Sequence, residues 1–160
     1  MGVDLFENIQ EQSINYKMED INHLSFEDKS FEFIYSVSVI NYCENYEMTL
    51  KEWYRVLRPG GLIMISGHTR YSVFTLIRLL KKILFPNKYH HLQHLNFHDP
   101  YKIVCASTFI GFKVIKKDGF FISWLDRFTK MKMVSRFLDL IFSDRLRFNF
   151  GYHFVIVLEK

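Results

Sequence analysis

The sequence contains few of the residues that crosslink a chain or break its regular structure. Its 160 residues include two cysteines, three prolines and seven glycines. Cys43 and Cys105 stand far apart and in no CxxC spacing, which excludes a disulfide framework and a zinc ribbon. We expect both to be buried, reduced thiols. The scarcity of proline, together with 49% hydrophobic residues, also excludes a disordered or collagen-like chain.

Long apolar runs are missing as well. Asp4, Glu7 and Glu11 stand where a secretory signal would need an apolar stretch. No run of about 18 uncharged apolar residues occurs, so no membrane-spanning helix is predicted. We therefore expect a soluble, cytoplasmic protein.

Aromatic residues and an uneven charge are what the sequence has in excess. It contains 17 Phe, 9 Tyr and 2 Trp, enough to fill a core and to line a site. Residues 1–66 carry 5 Lys/Arg and 11 Asp/Glu, a net charge of −6, whereas residues 67–160 carry 16 and 6, a net charge of +10. This division favours two surfaces with different partners, and an unevenly charged but ordinary solvated surface is the alternative.

The clearest unit is a helix followed by a buried strand. Asn45 can cap a helix whose apolar residues recur at helical spacing as far as Leu57. Pro59 and Gly60-Gly61 then turn the chain into the apolar run Leu62–Ser66. Shorter strands are predicted at the N-terminus, at 14–18 and at 31–36.

A second helix and two further strands are predicted from the same kinds of signal. Asp99-Pro100 is an N-cap followed by proline at the first helical position, which predicts a helix ending at Gly111. Strands are predicted at Phe112–Ile115 and Phe154–Leu158. This alternation predicts one α/β domain over residues 1–160, with a sheet covered on both faces.

Two basic amphipathic segments interrupt this pattern, at about 70–98 and 119–147. Each contains a predicted helix, at 73–85 and 120–142, in which Lys and Arg alternate with large apolar residues. They are predicted as helical insertions, and the alternative is that each helix packs its apolar face on the domain.

The order of these signals resembles the class I S-adenosylmethionine-dependent methyltransferases of the small-molecule type. The resemblance rests on His23-Leu24-Ser25-Phe26-Glu27-Asp28-Lys29-Ser30-Phe31-Glu32 and on Arg55-Val56-Leu57-Arg58-Pro59-Gly60-Gly61. Gly2-Val3-Asp4-Leu5 and Gly111-Phe112-Lys113-Val114 are similar to the ends of two further family strands. The resemblance implies a Rossmann-like, mostly parallel methyltransferase sheet whose last strand is antiparallel.

The resemblance also implies which residues bind S-adenosyl-L-methionine. Asp4, with Leu5 beside it, matches the acid that holds the ribose hydroxyls, a task that suits a carboxylate because it accepts two hydrogen bonds from a diol. Asp20 and Ile21 match the residues near the adenine. Ser36 and Val37 match residues that flank the cofactor and open onto the substrate.

The sequence departs from the family at two places. Asn41 and Tyr42 replace an acid and a histidine, and a tyrosine is mostly neutral at pH 7, so the role of proton acceptor does not transfer to it. A first strand, a glycine-rich loop and a helix are expected before Gly2, and no two glycines stand in G-x-G spacing. We therefore expect an N-terminally truncated sheet that alone binds the cofactor weakly or not at all. Three explanations stay open: a chain that begins late, a sheet that closes up by pairing neighbours directly, and a partner chain that fills the gap.

Histidines supply the remaining candidates. The cluster at positions 90, 91, 94 and 98 has no carboxylate or cysteine at ligand spacing, so no metal site is predicted. Because of their place after the Pro59 strand, His68, His91 and His94 are candidates for a substrate pocket together with Asn41 and Tyr42. No catalytic residue is assigned.

The function that the sequence favours is methyl transfer to a small hydrophobic or anionic acceptor. Such a transfer depends mainly on positioning and desolvation, so it needs no catalytic triad. The alternative is a degenerate, non-catalytic methyltransferase fold that binds or regulates a partner. A homo-oligomer, a partner chain that completes the sheet and contact with a membrane surface are further expectations. Nucleic acid is not expected, because the basic residues form no dense stripe.

Overall fold

The computed structural model describes residues 2–4, 16–84, 96–120 and 140–160. Along the chain these residues form ten helices and strands, with a short 3₁₀ turn at Val39–Tyr42. The elements are β1 (Gly2–Asp4), β2 (Tyr16–Met18), β3 (Phe31–Val37), α1 (Tyr46–Val56), β4 (Leu57–His68), α2 (Val73–Leu84), α3 (Pro100–Ile110), β5 (Lys113–Phe120), α4 (Asp144–Phe150) and β6 (His153–Glu159).

The described strands form two sheets. β1 and β2 pair in parallel, and the other four strands form a sheet of order β3-β4-β6-β5. β3 is parallel to β4, whereas β6 is antiparallel to both β4 and β5. β3, β4 and β5 therefore run in one direction, and only β6, the last strand in the sequence, runs the opposite way. This arrangement confirms the predicted α/β fold. Among the described residues β3 does not pair with β1 or β2, so the sheet has not closed up.

α1 and β4 follow each other without a separate loop. The side chain of Asn45 accepts hydrogen bonds from the backbone N–H groups of Glu47 (3.2 Å) and Met48 (3.3 Å), which confirms it as the N-cap. β4 begins at Leu57, earlier than predicted, and contains the Pro-Gly-Gly segment as an irregularity in its pairing with β3. Gly60 has a φ of 74°, a left-handed conformation that favours glycine.

α3 has the predicted caps. Asp99 accepts a hydrogen bond from the backbone N–H of Tyr101 (2.9 Å), Pro100 opens the helix, and Gly111 ends it at a φ of 119°. β5 continues to Phe120, beyond the predicted end at Ile115. The extension is explained by its pairing with β6, which reaches from Glu159 to His153.

The hydrophobic core lies between the larger sheet and the helices. Because side chains alternate across a strand, every second residue of β4 and β6 faces this core. Burial of each large side chain contributes about 1.5–3 kcal/mol. The cluster includes Leu50 and Trp53 of α1, Ile103 of α3, Phe148 of α4, and Ile63, Ile65, Phe154, Ile156 and Leu158 of the sheet.

Two expectations about burial are wrong. The other face of β3 is not covered by the described residues, since Phe33 is 53% and Tyr35 61% exposed. Cys105 is exposed, whereas Cys43 is buried as predicted. α3 is apolar around most of its circumference, so its sequence pattern does not reveal that Ile103 and Ser107 face inward while Phe109 is 92% exposed.

The predicted insertions are described in part. α2 occupies Val73–Leu84, close to the predicted helix, and α4 lies at the end of the second insertion. The predicted helix at 120–142 ends before α4 and falls mostly outside the described residues. Within the described ranges, no helix has the length and apolarity needed to cross a membrane.

Candidate functional site

The first side of the candidate site is the end of the small parallel sheet. Asp4 is the last residue of β1 and is paired with Met18, the last residue of β2. Asp20 follows two residues later. Two sequence-predicted acids therefore stand at the carboxyl ends of adjacent parallel strands, the edge at which open α/β sheets bind ligands. Leu5 lies outside the described residues.

Asp20 is part of a tight turn. One of its carboxylate oxygens accepts hydrogen bonds from the backbone (2.9 Å) and side-chain (3.1 Å) N–H groups of Asn22, and the other lies 3.5 Å from Nδ1 of His23. These donors, the Asn22 backbone above all, hold the pKa of Asp20 below its ordinary value. The side chain is 54% exposed, so the ionised carboxylate retains capacity to accept further hydrogen bonds. Ile21 next to it is half-buried.

The Asp20 turn is attached to α1 and to the turn after β3. The hydroxyl of Thr49, buried in α1, donates a hydrogen bond to Oδ1 of Asn22 at 2.8 Å. Burial raises the pKa of the Cys43 thiol, and the nearby Asp20 charge acts in the same direction. The turns that follow β2 and β3 therefore lie together beside the first half of α1.

Arg55 connects the two segments on which the family resemblance rests. Its guanidinium donates to the backbone carbonyls of Leu24 and Phe26, each at 2.8 Å, and to Asp28 at 2.7 Å. It also pairs with Glu52 at 2.9 Å, which lowers the pKa of that carboxyl. Sequence reasoning assigned no role to Arg55, although its own segment and the segment of Leu24, Phe26 and Asp28 were both recognised as motifs. We refer to these contacts as the Arg55 clamp, because they hold the segment after Asp20 against α1.

Glu19 secures the other side of the Asp20 turn. Its carboxylate accepts a hydrogen bond from the backbone N–H of Ser25 at 2.7 Å and pairs with Lys17 at 2.6 Å. The Lys17 ammonium, followed by the donors of Ser25, lowers the pKa of Glu19 to about 2. Glu19 is therefore ionised at neutral pH and keeps this turn closed.

The second side of the candidate site is the end of β3. Ser36 is 4% exposed, and its hydroxyl has no hydrogen-bond partner among the described residues. Val37, the last strand residue, is half exposed. Ser38 then adopts a φ of 58°, a left-handed conformation that is uncommon for a residue with a Cβ and recurs at functional sites. A buried unpaired hydroxyl and a strained backbone thus meet at one strand end.

Asn41 is a fully buried part of the wall behind this strand end. Its Oδ1 accepts a hydrogen bond from the backbone N–H of His68 (2.8 Å), and its Nδ2 donates to the carbonyl of Asn96 (2.7 Å). The amide thus joins the turn after β3 to the end of β4 and to the segment before α3. Asn41 is therefore a structural residue of the candidate site. Its neighbour Tyr42 is exposed.

His68 lies at the carboxyl end of β4, on the same edge of the larger sheet as Val37. Its ring contacts those of Tyr152 and His153, with centroid separations of 4.7 and 4.1 Å. His91 and His94, the other two candidates, lie outside the described residues. The structure therefore places His68 at the predicted edge and leaves the two loop histidines as predictions.

His98 and Asn96 form a link that sequence reasoning did not find. Nε2 of His98 lies 3.0 Å from the carbonyl of Ile40, and its ring packs edge-on against Tyr46. Burial lowers the pKa of His98, which favours the neutral ring. The only signal in the sequence was its membership of the histidine cluster. In the part of the chain that the structure describes, no three His, Cys, Asp or Glu side chains form a metal-binding group.

Sequence comparisons find similarity to methyltransferases. Residues 2–65 match a family described as "Methyltransferase domain". A malonyl-[acyl-carrier protein] O-methyltransferase of Yersinia pestis is 35% identical over 57 residues, which is 36% of this chain and 21% of that protein. A protein of the same name from Erwinia billingiae is 26% identical over 103 residues, 61% of this chain and 41% of that one. The chain spans about a fifth to two fifths of the length of these curated relatives.

Structural comparison extends the likeness to the whole chain. A methyltransferase from Archaeoglobus fulgidus that depends on S-adenosylmethionine superposes with a TM-score of 0.67 at 16% identity, covering 99% of this chain and 75% of that one. At this identity the match establishes the fold alone.

Proposed function

We propose that this chain takes part in methyl transfer to a small anionic or hydrophobic acceptor. The proposal rests on its fold, which is that of the S-adenosylmethionine-dependent methyltransferases, and on the match of residues 2–65 to a methyltransferase family. The observation that carries this proposal is that the turns after β2 and β3 lie together beside α1. The first turn contains Asp20, which follows the strand paired with that of Asp4, and the second follows the strand end at which the buried hydroxyl of Ser36 has no partner among the described residues.

S-adenosylmethionine is the cofactor that the family and the fold imply, and it supplies an electrophilic methyl group on sulfur. The residues of this chain fit it in one respect that the structure tests. An unpaired hydroxyl costs free energy when buried, and at Ser36 this cost falls at the strand end where a polar ligand would offset it. Asp4 and Asp20 would accept hydrogen bonds, and Val37 would offer an apolar contact.

The acceptor would approach along the edge that bears Tyr42 and His68. Methyl transfer to oxygen, nitrogen or carbon needs an aligned nucleophile and the exclusion of water, so these residues would act chiefly by positioning. The names of the malonyl-[acyl-carrier protein] O-methyltransferase relatives give a malonyl group, which is anionic, as the acceptor. An anionic acceptor also suits the positive charge that the chain carries after residue 66.

Titration of the isotopically labelled chain with S-adenosylhomocysteine tests the cofactor site even when binding is weak. We expect NMR shifts at residues 20–22 and 36–38. Asp20→Asn is expected to weaken binding about tenfold, the effect of losing a charge-assisted hydrogen bond. Asp144→Asn, which removes an exposed acid of α4, is the matched control and should bind normally. Shifts confined to other residues would contradict the proposed site.

Calorimetry tests the expectation that the chain by itself binds the cofactor weakly. A low-micromolar dissociation constant would show that this expectation is wrong. Methyl transfer can then be assayed as S-adenosylhomocysteine release with a panel of carboxylic acids, phenols and amines. Release with the carboxylic acids but not with the amines is the outcome that the proposed anionic acceptor predicts.

The second candidate is a methyltransferase-fold protein that binds a partner without catalysis. The exposed apolar side chains on one face of β3, Phe33 and Tyr35 together with Val37, favour it. Absence of methyl transfer to every acceptor, with cofactor shifts absent at residues 36–38, would support this candidate over the first.

A further inference from the structure

The outward face of α2 carries exposed apolar side chains that the proposed activity does not use. Five aliphatic side chains of this helix are between 41% and 74% exposed. They follow the spacing i, i+1, i+4, i+7, i+8, which places them on one face of a helix. They are Leu76, Ile77, Leu80, Ile83 and Leu84.

The opposite side of α2 is attached to the domain. Thr75 is fully buried, and its hydroxyl donates a hydrogen bond to the carbonyl of Thr69 at 2.6 Å. Ser72, just before the helix, is also buried, and its carbonyl accepts from the N–H of Leu76 at 3.1 Å. The Ser72 bond begins the helix, and the Thr75 bond holds its first turn with the polar side inward. The exposed aliphatic face therefore points away from the domain.

Charge identifies the kind of surface that this face fits. Between Glu52 and Asp99 the sequence contains no acidic residue and seven Lys or Arg. Three of them, Arg78, Lys81 and Lys82, belong to α2 itself. A helix that combines an apolar face with exclusively basic charged residues is typical of helices that lie in the interface of an anionic membrane. A second copy of the same face would bring like charges together, which disfavours self-association through it.

We propose that α2 docks this chain on an anionic lipid surface, with its aliphatic face in the acyl boundary and the basic residues near the headgroups. α2 follows the carboxyl end of β4, so docking would hold the edge that bears His68 close to the lipid surface. The proposal does not depend on the proposed methyl transfer.

Vesicle co-sedimentation of the full chain tests this proposal. We expect binding to vesicles of phosphatidylcholine mixed with phosphatidylglycerol, weaker binding as salt is raised, and much weaker binding to phosphatidylcholine alone. The double variant Leu80→Gln/Ile83→Gln should bind at least about tenfold more weakly, because two buried aliphatic groups are lost at the interface. Phe109→Gln, at an even more exposed apolar position of α3, is the control and should bind like the unaltered chain.

Three outcomes would overturn the proposal. The first is equal binding to neutral and anionic vesicles, and the second is unchanged binding of the double variant. The third is self-association in the absence of lipid that the double variant abolishes, which would make a second copy the occupant of the face. Circular dichroism of each variant shows whether a loss of binding reflects lost helix instead.

Discussion

α1 and α2 are helices of 11 and 12 residues with similar apolar periodicity and opposite environments. α1 buries Leu50, Trp53 and Val56, whereas α2 leaves its aliphatic face in solvent. The difference shows that periodicity predicts that a helix has an apolar face and does not predict what covers it. In α1 the sheet and α3 cover that face, and in α2 the described attachment is made by polar groups on the other side.

The largest expected difference in stability is between truncation of a buried apolar residue in α1 and truncation of an exposed one in α2. Trp53→Ala should lower the free energy of unfolding by about 3–5 kcal/mol, because it leaves a cavity in the core. Leu80→Ala in α2 should change it by no more than about 0.5 kcal/mol, because the side chain is half exposed. Urea denaturation measures both, and similar losses would show that the two helices are not in different environments.

Removal of the Arg55 clamp has the next largest effect. Arg55→Gln should cost about 2 kcal/mol, since hydrogen bonds from a charged group to two backbone carbonyls are lost. Arg58→Gln breaks only an exposed pair with Glu32 and should cost less than about 1 kcal/mol. Thermal unfolding of the two variants tests the contrast, and an equal cost would contradict the role of the clamp.

The helix cap of α1 contributes a smaller amount. Asn45→Ala removes the acceptor for two backbone N–H groups and should cost about 1 kcal/mol. Asn45→Asp keeps an acceptor at this position and should restore most of that stability, which separates capping from a general effect of substitution. Urea midpoints for the two variants are the measurement.

Acid pH should affect the Asp20 turn and leave α2 unchanged. The folded-state pKa values of Glu19, Asp20 and Glu52 are lowered, so their contribution to stability is complete above their ordinary values of 4.5, 3.8 and 4.5. This contribution is lost as the pH falls through the folded-state pKa values, and the folded-state pKa of Glu19 is about 2. Amide hydrogen exchange should therefore rise first at residues 19–28. α2 contains no acid, and exchange that rises there first would contradict this assignment.

Much of the fold could be predicted because its signals are local. Asn45, Asp99 and Gly111 act within one turn of chain, and a run of apolar residues such as that of β4 needs only burial to become a strand. The candidate site remains a prediction in which Asp20 and Ser36 were identified through the resemblance. Their surroundings were not, because the Arg55 and Asn41 contacts join residues distant in sequence.

The amino-acid order alone was enough to specify α1, α2 and α3, the caps of α1 and α3, and the alternation of helices with strands, because each depends on neighbouring side chains or on apolar periodicity. The antiparallel last strand was implied by the family resemblance. Tertiary packing decided which faces are covered. Cys105, Phe33 and the aliphatic face of α2 are apolar residues that the pattern would bury, yet each is exposed. Burial requires a second surface at the right place, and that surface is supplied by parts of the chain remote from the residue itself.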